Sequence, residues 1–172
     1  PGYRVQFGGA AAEDQPQLPD GSVPARRVDK NGSLASEHVR RYSQALIADL
    51  CRAYPEIDGL RPDWPEYPPY LLDTVFLDFS AAAVAAGERL GYRMEKVRRD
   101  AQAEWSYLNG KLTNRDLELM LDGDGGRFGL ASLFTGAAPG VAELCRLKAD
   151  LADELLAGFR TALTSAGGSS KK

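Results

Sequence analysis

The sequence predicts an α/β fold, a partial (β/α)8 TIM barrel, on three observations. Two short segments have strand character, residues 3–7 and 56–62. Amphipathic helical stretches follow each of them, and strands that alternate with helices mark βαβ units in a parallel sheet. The third is arithmetic: two strands cannot cover the faces of the helices around them, because a parallel sheet needs more partners than that. A complete barrel takes about 250 residues, so the 172 residues here read as consecutive βα units of a single barrel domain, truncated at both ends, with extra helices after the second strand. The opening "GYRVQF" without an initiator Met and the polar close "GGSSKK" agree with a cut piece. Unpaired strand edges in such a piece predict a marginal or aggregation-prone chain.

Element by element, "YRVQF" (3–7) alternates and is rich in β-formers. Residues 8–35 hold glycines, prolines and the turn pairs Asp20-Gly21 and Asn31-Gly32, and read as a long loop. Loops above about 12–15 residues are often functional, and Arg26, Arg27 and Asp29 are this one's polar candidates for lining a cleft. From Ser36, an N-cap, a helix carries Val39, Tyr42, Leu46, Leu50 and Tyr54 at helical spacing. "EIDGLRP" then reads as the second strand. Ser80 caps a helix that Gly91 stops, another helix ends at Asn109-Gly110, and Thr113 caps a shorter one. "DGDGG" is a turn and "RFGLASLF" one or two helical turns. Pro139 suits the first turn of a last helix running to about Ser165, with Val141, Leu144, Leu151, Leu155 and Phe159 along one side. Residues 166–172 form a flexible polar tail.

Composition narrows the function classes. The chain is 44% hydrophobic and 26% charged, with net charge -3, which provides no general field for nucleic acid or anionic lipid. No apolar run reaches the roughly 18 residues of a membrane span. Cys51 and Cys145 both lie in helical stretches, so a disulfide framework is not expected. The compartment stays open, with the cytoplasm slightly favoured. His38, the one histidine, stands in the first turn of a helix without a second histidine or a cysteine nearby, which argues against a metal site. "DGDGGRFG" begins like a calcium loop, but Gly126 replaces a ligand and Arg127 takes the glycine position, so it reads as a turn. Arg26-Arg27, Arg40-Arg41 and Arg98-Arg99 are interspersed with acids and read as solvated faces. No cofactor is implied.

The segment that carries chemistry is "IDGLRPDWPEYPPYLLD", residues 57–73. In a strand, Gly59, Arg61 and Asp63 share one face, and Pro62 ends regular pairing. Arg61 and Asp63 would then stand together at the strand's C-terminal rim, where barrel enzymes do their chemistry. A guanidinium beside a carboxylate keeps it ionised, ready to act as a nucleophile or to stabilise developing positive charge. Trp64, Tyr67 and Tyr70 stand among four prolines that stiffen the loop, and aromatic rings held this way can stack on sugar faces.

"IDGLRPD" is similar to the Asp-Gly-x-Arg-x-Asp segment on the fourth strand of alpha-amylase-type glycoside hydrolases. The wider stretch, "HVRRYSQALIADLCRAYPEIDGLRPDWPEYPPY", resembles a group of bacterial glycosyl-hydrolase-like TIM-barrel proteins over about residues 30–80. The resemblance implies a glycoside hydrolase with a carbohydrate substrate, Asp63 as the catalytic nucleophile and Arg61 as its partner. Glu66 is the second candidate catalytic carboxylate, one of the pair Asp63 and Glu66 being expected to act in catalysis and the other to position a sugar hydroxyl. Arg61, Trp64, Tyr67 and Tyr70 are the expected substrate-binding residues. Pro62 departs from the amylase pattern, and a further acid would lie beyond residue 172. Two rival readings use the same residues. One is a carbohydrate-binding barrel without turnover. The other is a structural helical domain in which the loop is packing, which buries Trp64 and Tyr67 and turns Asp63 away from any cleft.

Overall fold

The computed structural model describes residues 12–26, 32–63, 67, 71–122, 139–168 and 171. Among the described residues a 3-10 turn, Ala12–Asp14, precedes six α-helices: α1 (Glu37–Ala53), α2 (Leu72–Val75), α3 (Ala81–Arg89), α4 (Met94–Gly110), α5 (Asn114–Asp122) and α6 (Pro139–Gly167). Among the described residues there is no strand. The α/β expectation, and with it the partial TIM barrel, is therefore corrected to an all-α fold. The first expected strand, residues 3–7, lies outside the described residues, as do the "DGDGG" turn after Asp122 and "RFGLASLF".

The second expected strand fails for a physical reason. Residues 57–63 run as coil, and alternation of side chains makes a strand only when a neighbouring ladder takes up the backbone groups. Here a side chain serves the first of them instead: Lys171 Nζ donates to the carbonyl of Ile57, and also to that of Pro55 just before the segment, at 2.8 Å. The amylase-like Asp-Gly-x-Arg-x-Asp pattern is thus a coincidence of sequence on a segment of different structure.

Local capping chemistry sets the helix boundaries. The Ser36 hydroxyl accepts from Val39 N at the start of α1 and the Ser80 hydroxyl from Ala83 N at the start of α3. Thr113 and Asp116 cap each other's backbone at the start of α5, with Asp116 N donating to Thr113 Oγ1 and Thr113 N to Asp116 Oδ2. Gly91 takes φ +89° to turn the chain from α3 into α4, a conformation that glycine adopts without steric cost. Pro139 opens α6 as expected, and the helix runs to Gly167.

Helix α6 is the spine. Val141, Leu144, Leu147, Leu151, Leu155, Phe159 and Leu163 are buried along it, a three- and four-residue spacing that lines one face. Helices α1 and α4 both pack on this helix. The core is completed by Val97 and Ala101 of α4, by Phe76, Leu77 and Phe79 before α3, and by Leu18 and Leu34 from the irregular N-terminal region. At the other end, α6 begins hard against α4. Gly140 N donates to Asp100 Oδ2 at 3.2 Å, and a Cβ at Gly140 would meet Asp100 Cβ at 2.6 Å, so only glycine fits there.

Polar ties hold the layers in register. Glu154 of α6 accepts from Arg40 of α1 at 3.1 Å and from Arg89 of α3 at 2.8 Å. These donors hold its carboxyl below the usual carboxylate range, the Arg89 hydrogen bond contributing most. Arg98 of α4 donates to the carbonyls of Phe79 and Pro19 and lies over the Phe79 ring, 5.2 Å from its centre. Arg40 and Arg98 are therefore structural members rather than parts of solvated faces. Cys51 and Cys145 are free, the first buried and the second exposed.

Candidate functional site

The residues expected to carry chemistry do not gather into one site. Arg61 and Asp63 lie on coil, both exposed, and among the described residues neither joins an ion pair. Trp64, Glu66 and Tyr70 lie outside the described residues, as do Arg27 and Asp29. Tyr67 turns inward, with 4% of its surface exposed. The expectation of a glycosidase rests on a carboxylate at the end of a barrel strand. Residues 57–63 are coil in a helical domain, so there is no such strand end to carry it.

Tyr67 belongs to a buried polar lock. Its hydroxyl donates to Asp78 Oδ2 at 2.9 Å and accepts from Leu34 N at 2.9 Å. Asp78, only 2% exposed, also accepts through Oδ1 from Gln17 N at 3.0 Å and from Ser80 N at 2.7 Å. The Ser80 hydroxyl lies 3.0 Å from Asp78 Oδ2 and 3.2 Å from the Ser33 hydroxyl. A second carboxylate, Asp14, accepts from the Ser36 hydroxyl at 2.5 Å and lies 3.2 Å from His38 Nδ1. Burial, followed by the nearby Asp78 charge, pushes the Tyr67 hydroxyl well above its ordinary range. Both Asp78 oxygens are filled by protein donors, which is the condition for holding a carboxylate in a core. The lock pins the N-terminal coil and Tyr67 to the start of α3.

Lys148 of α6 approaches the same region. Its ammonium donates to the Val75 carbonyl at 2.7 Å. Desolvation pulls its pKa down, partly offset by Cys145 and Asp78. Glu104 of α4 is the converse case: its Oε1 is buried without a hydrogen-bond partner, and burial raises its pKa. Among the described residues no group of three His, Cys, Asp or Glu side chains is placed to hold a metal ion.

A concave feature of the surface lies elsewhere, between α1 and α6. It is a groove of about 290 Å³. Helix α1 contributes Ser43, Leu46, Ile47 and Leu50 as one wall, and α6 contributes Leu156, Phe159, Arg160 and Leu163 as the other. The coil residues Leu60, Arg61 and Pro62 close one side. The lining is dominated by aliphatic side chains and one ring, with both arginines exposed to solvent. Ser43 turns its hydroxyl back to the Val39 carbonyl at 2.9 Å, so its polar group is already spent within α1. Leu46 keeps 42% of its surface exposed on this face.

Comparison with family models, curated proteins and solved structures gives no match.

Of the described residues expected to carry chemistry, Arg61 lines the groove. Leu46 and Leu50 stand out in the sequence only as members of an amphipathic stripe. The available signal for the groove is the width of that stripe: Tyr42, Leu46, Ile47, Leu50 and Tyr54 cover more of α1 than a single partner helix can bury, and Tyr42 and Tyr54 remain exposed. The signal for the lock is the spacing in "DFS", which puts Asp78 two residues before an N-capping serine.

Proposed function

We propose that this chain is a helical domain that acts by holding an apolar ligand in the α1–α6 groove, not by turning a substrate over. The observation that carries this reading is the groove itself, an apolar concavity of about 290 Å³ between two helices of the core. Ligand sites are concave and mostly apolar, run from about 300 Å³ upwards, and often form between helices of bundles. The carboxylates in the core support the same reading, since Asp78 is sealed from solvent and engaged by protein donors. A sugar is a poorer fit than a hydrocarbon, because the lining offers few groups for ring hydroxyls.

The test is binding of N-phenyl-1-naphthylamine, an uncharged dye that fluoresces in apolar surroundings. Leu46 is half exposed, so Leu46→Glu places a charge in the groove without disturbing the core. The dye should bind the native chain, and Leu46→Glu should weaken it by about tenfold while leaving the far-UV circular dichroism unchanged. No dye binding, or equal binding by the variant, would count against the groove.

A further inference from the structure

Arg61 and Arg160 both line the groove, the first on the coil that closes one side and the second on the α6 wall. Each is exposed, and among the described residues neither makes an ion pair. Arg40 is held by Glu154, Arg52 pairs with Asp49, and Lys171 is held by two backbone carbonyls. No aspartate or glutamate is among the described residues that line the groove. Among the described residues, the groove therefore combines an apolar floor with two guanidinium groups outside any ion pair and no lining carboxylate.

This pattern is complementary to one kind of molecule, and the assignment rests on the groove reading above. We propose that the groove takes an unbranched aliphatic monocarboxylate, with its hydrocarbon chain along Leu46, Ile47, Leu156 and Phe159 and its carboxylate between Arg61 and Arg160. The chain gains by leaving water. The head group gains because guanidinium presents forked donors that match a carboxylate's two oxygens. Two like charges bordering one groove also repel, and an anion bound between them turns that repulsion into attraction. Size sets the chain length. An apolar cavity of about 150 Å³ holds one benzene ring, and the groove here is about 290 Å³, so a chain of about ten carbons is the matched probe.

The experiment compares sodium decanoate, below its micelle concentration, with decanol, which has the same chain and no charge. Each is titrated as a competitor of N-phenyl-1-naphthylamine, at low salt and in 1 M NaCl, with sedimentation run in parallel. At low salt decanoate should bind about tenfold more tightly than decanol, and the advantage should shrink at high salt, where exposed charges are screened. Arg61→Ala and Arg160→Ala should each weaken decanoate by about three- to tenfold and leave decanol unchanged. Both are exposed positions, so circular dichroism should be unaltered. Equal binding of decanoate and decanol by the native chain would overturn the carboxylate assignment while leaving the apolar groove in place. Failure of both to displace the dye, or of the dye to bind, would overturn the groove reading itself. Self-association that occludes the dye site would assign the groove to a second copy of the chain and overturn the ligand proposal.

Discussion

Tyr67 shows how far a single residue's role depends on a partner that its own neighbourhood does not reveal. In the sequence it is one of three aromatic residues among prolines, a pattern that suits a stacking platform. In the fold its hydroxyl bridges Asp78 and the Leu34 backbone, and nothing local to the proline loop announces either contact. Tyr67→Phe keeps the ring but leaves Leu34 N without its acceptor and Asp78 short of a donor. An orphaned buried polar group costs about 1–3 kcal/mol, which for a chain of this size lowers Tm by roughly 2–4 °C per kcal/mol; thermal denaturation of the variant checks this. The same hydroxyl shapes the alkaline limit. Its folded pKa is raised, so the stability it contributes is complete below about pH 10, the unfolded tyrosine value, and is lost as pH rises above that. Tyr92, bonded to Asp150 at 2.6 Å and pushed up to about 12, acts in the same direction. Lys148, with its lowered pKa, works against them, since its penalty is relieved as the unfolded lysine also loses its proton. Denaturant titrations from pH 9 to pH 12 should show a fall in stability that is shallower in Tyr67→Phe. Glu104 makes the complementary prediction near neutrality. Its raised pKa means that stability is fully present below pH 4.5, the ordinary value, and is lost as pH rises through the folded pKa. Glu104→Gln should therefore be more stable than the native chain at pH 7 and about equal to it at pH 4, and a denaturation midpoint at each pH decides.

At the scale of elements, what was legible is what is local. Ser36, Ser80 and Thr113 were readable as N-caps, Gly91 as a stop and Pro139 as a helix start, because capping is decided within a few residues of sequence. The expected strand at 56–62 fails for the opposite reason. A strand is defined by its neighbour, and a run such as "EIDGLRP" alternates equally well as a coil laid beside two helices. Removing a cap tests the local claim. Ser80→Ala deletes the α3 cap and one of Asp78's contacts, and should cost about 0.5–2 kcal/mol in a denaturant titration. The tie among α1, α3 and α6 gives an acid-side prediction. Glu154's folded pKa is depressed, so its contribution is present above the unfolded carboxylate range and is lost as pH falls through the folded value. Glu154→Gln should flatten the stability profile below pH 4.5, the ordinary value.

For the whole molecule, the decisive fact is that α6 organises the core. Its apolar face is readable in the sequence, where Val141, Leu144, Leu151, Leu155 and Phe159 recur at helical spacing. Which elements cover that face is not, since helical periodicity says that a stripe will be buried but names no partner. The barrel expectation supplied a sheet as that partner; the fold supplies α1 and α4. Leu151, 1% exposed at the centre of the spine, should be among the most costly positions, and Leu151→Ala should destabilise by about 2–5 kcal/mol in a single cooperative helical transition. The groove is a consequence of the same arrangement, because α1 packs on α6 and Leu46 and Leu156 line the opening between them. The central claim is that binding belongs to this groove and not to the carboxylates of the proline-rich loop. Amide chemical-shift mapping of the ¹⁵N-labelled chain during titration with N-phenyl-1-naphthylamine tests it most directly. Shifts should concentrate at residues 43–50, 60–62 and 156–163, while the secondary shifts of 57–63 remain those of coil. Perturbations centred on Asp63 with none across α1 and α6, or extended-strand shifts through 57–63, would contradict it.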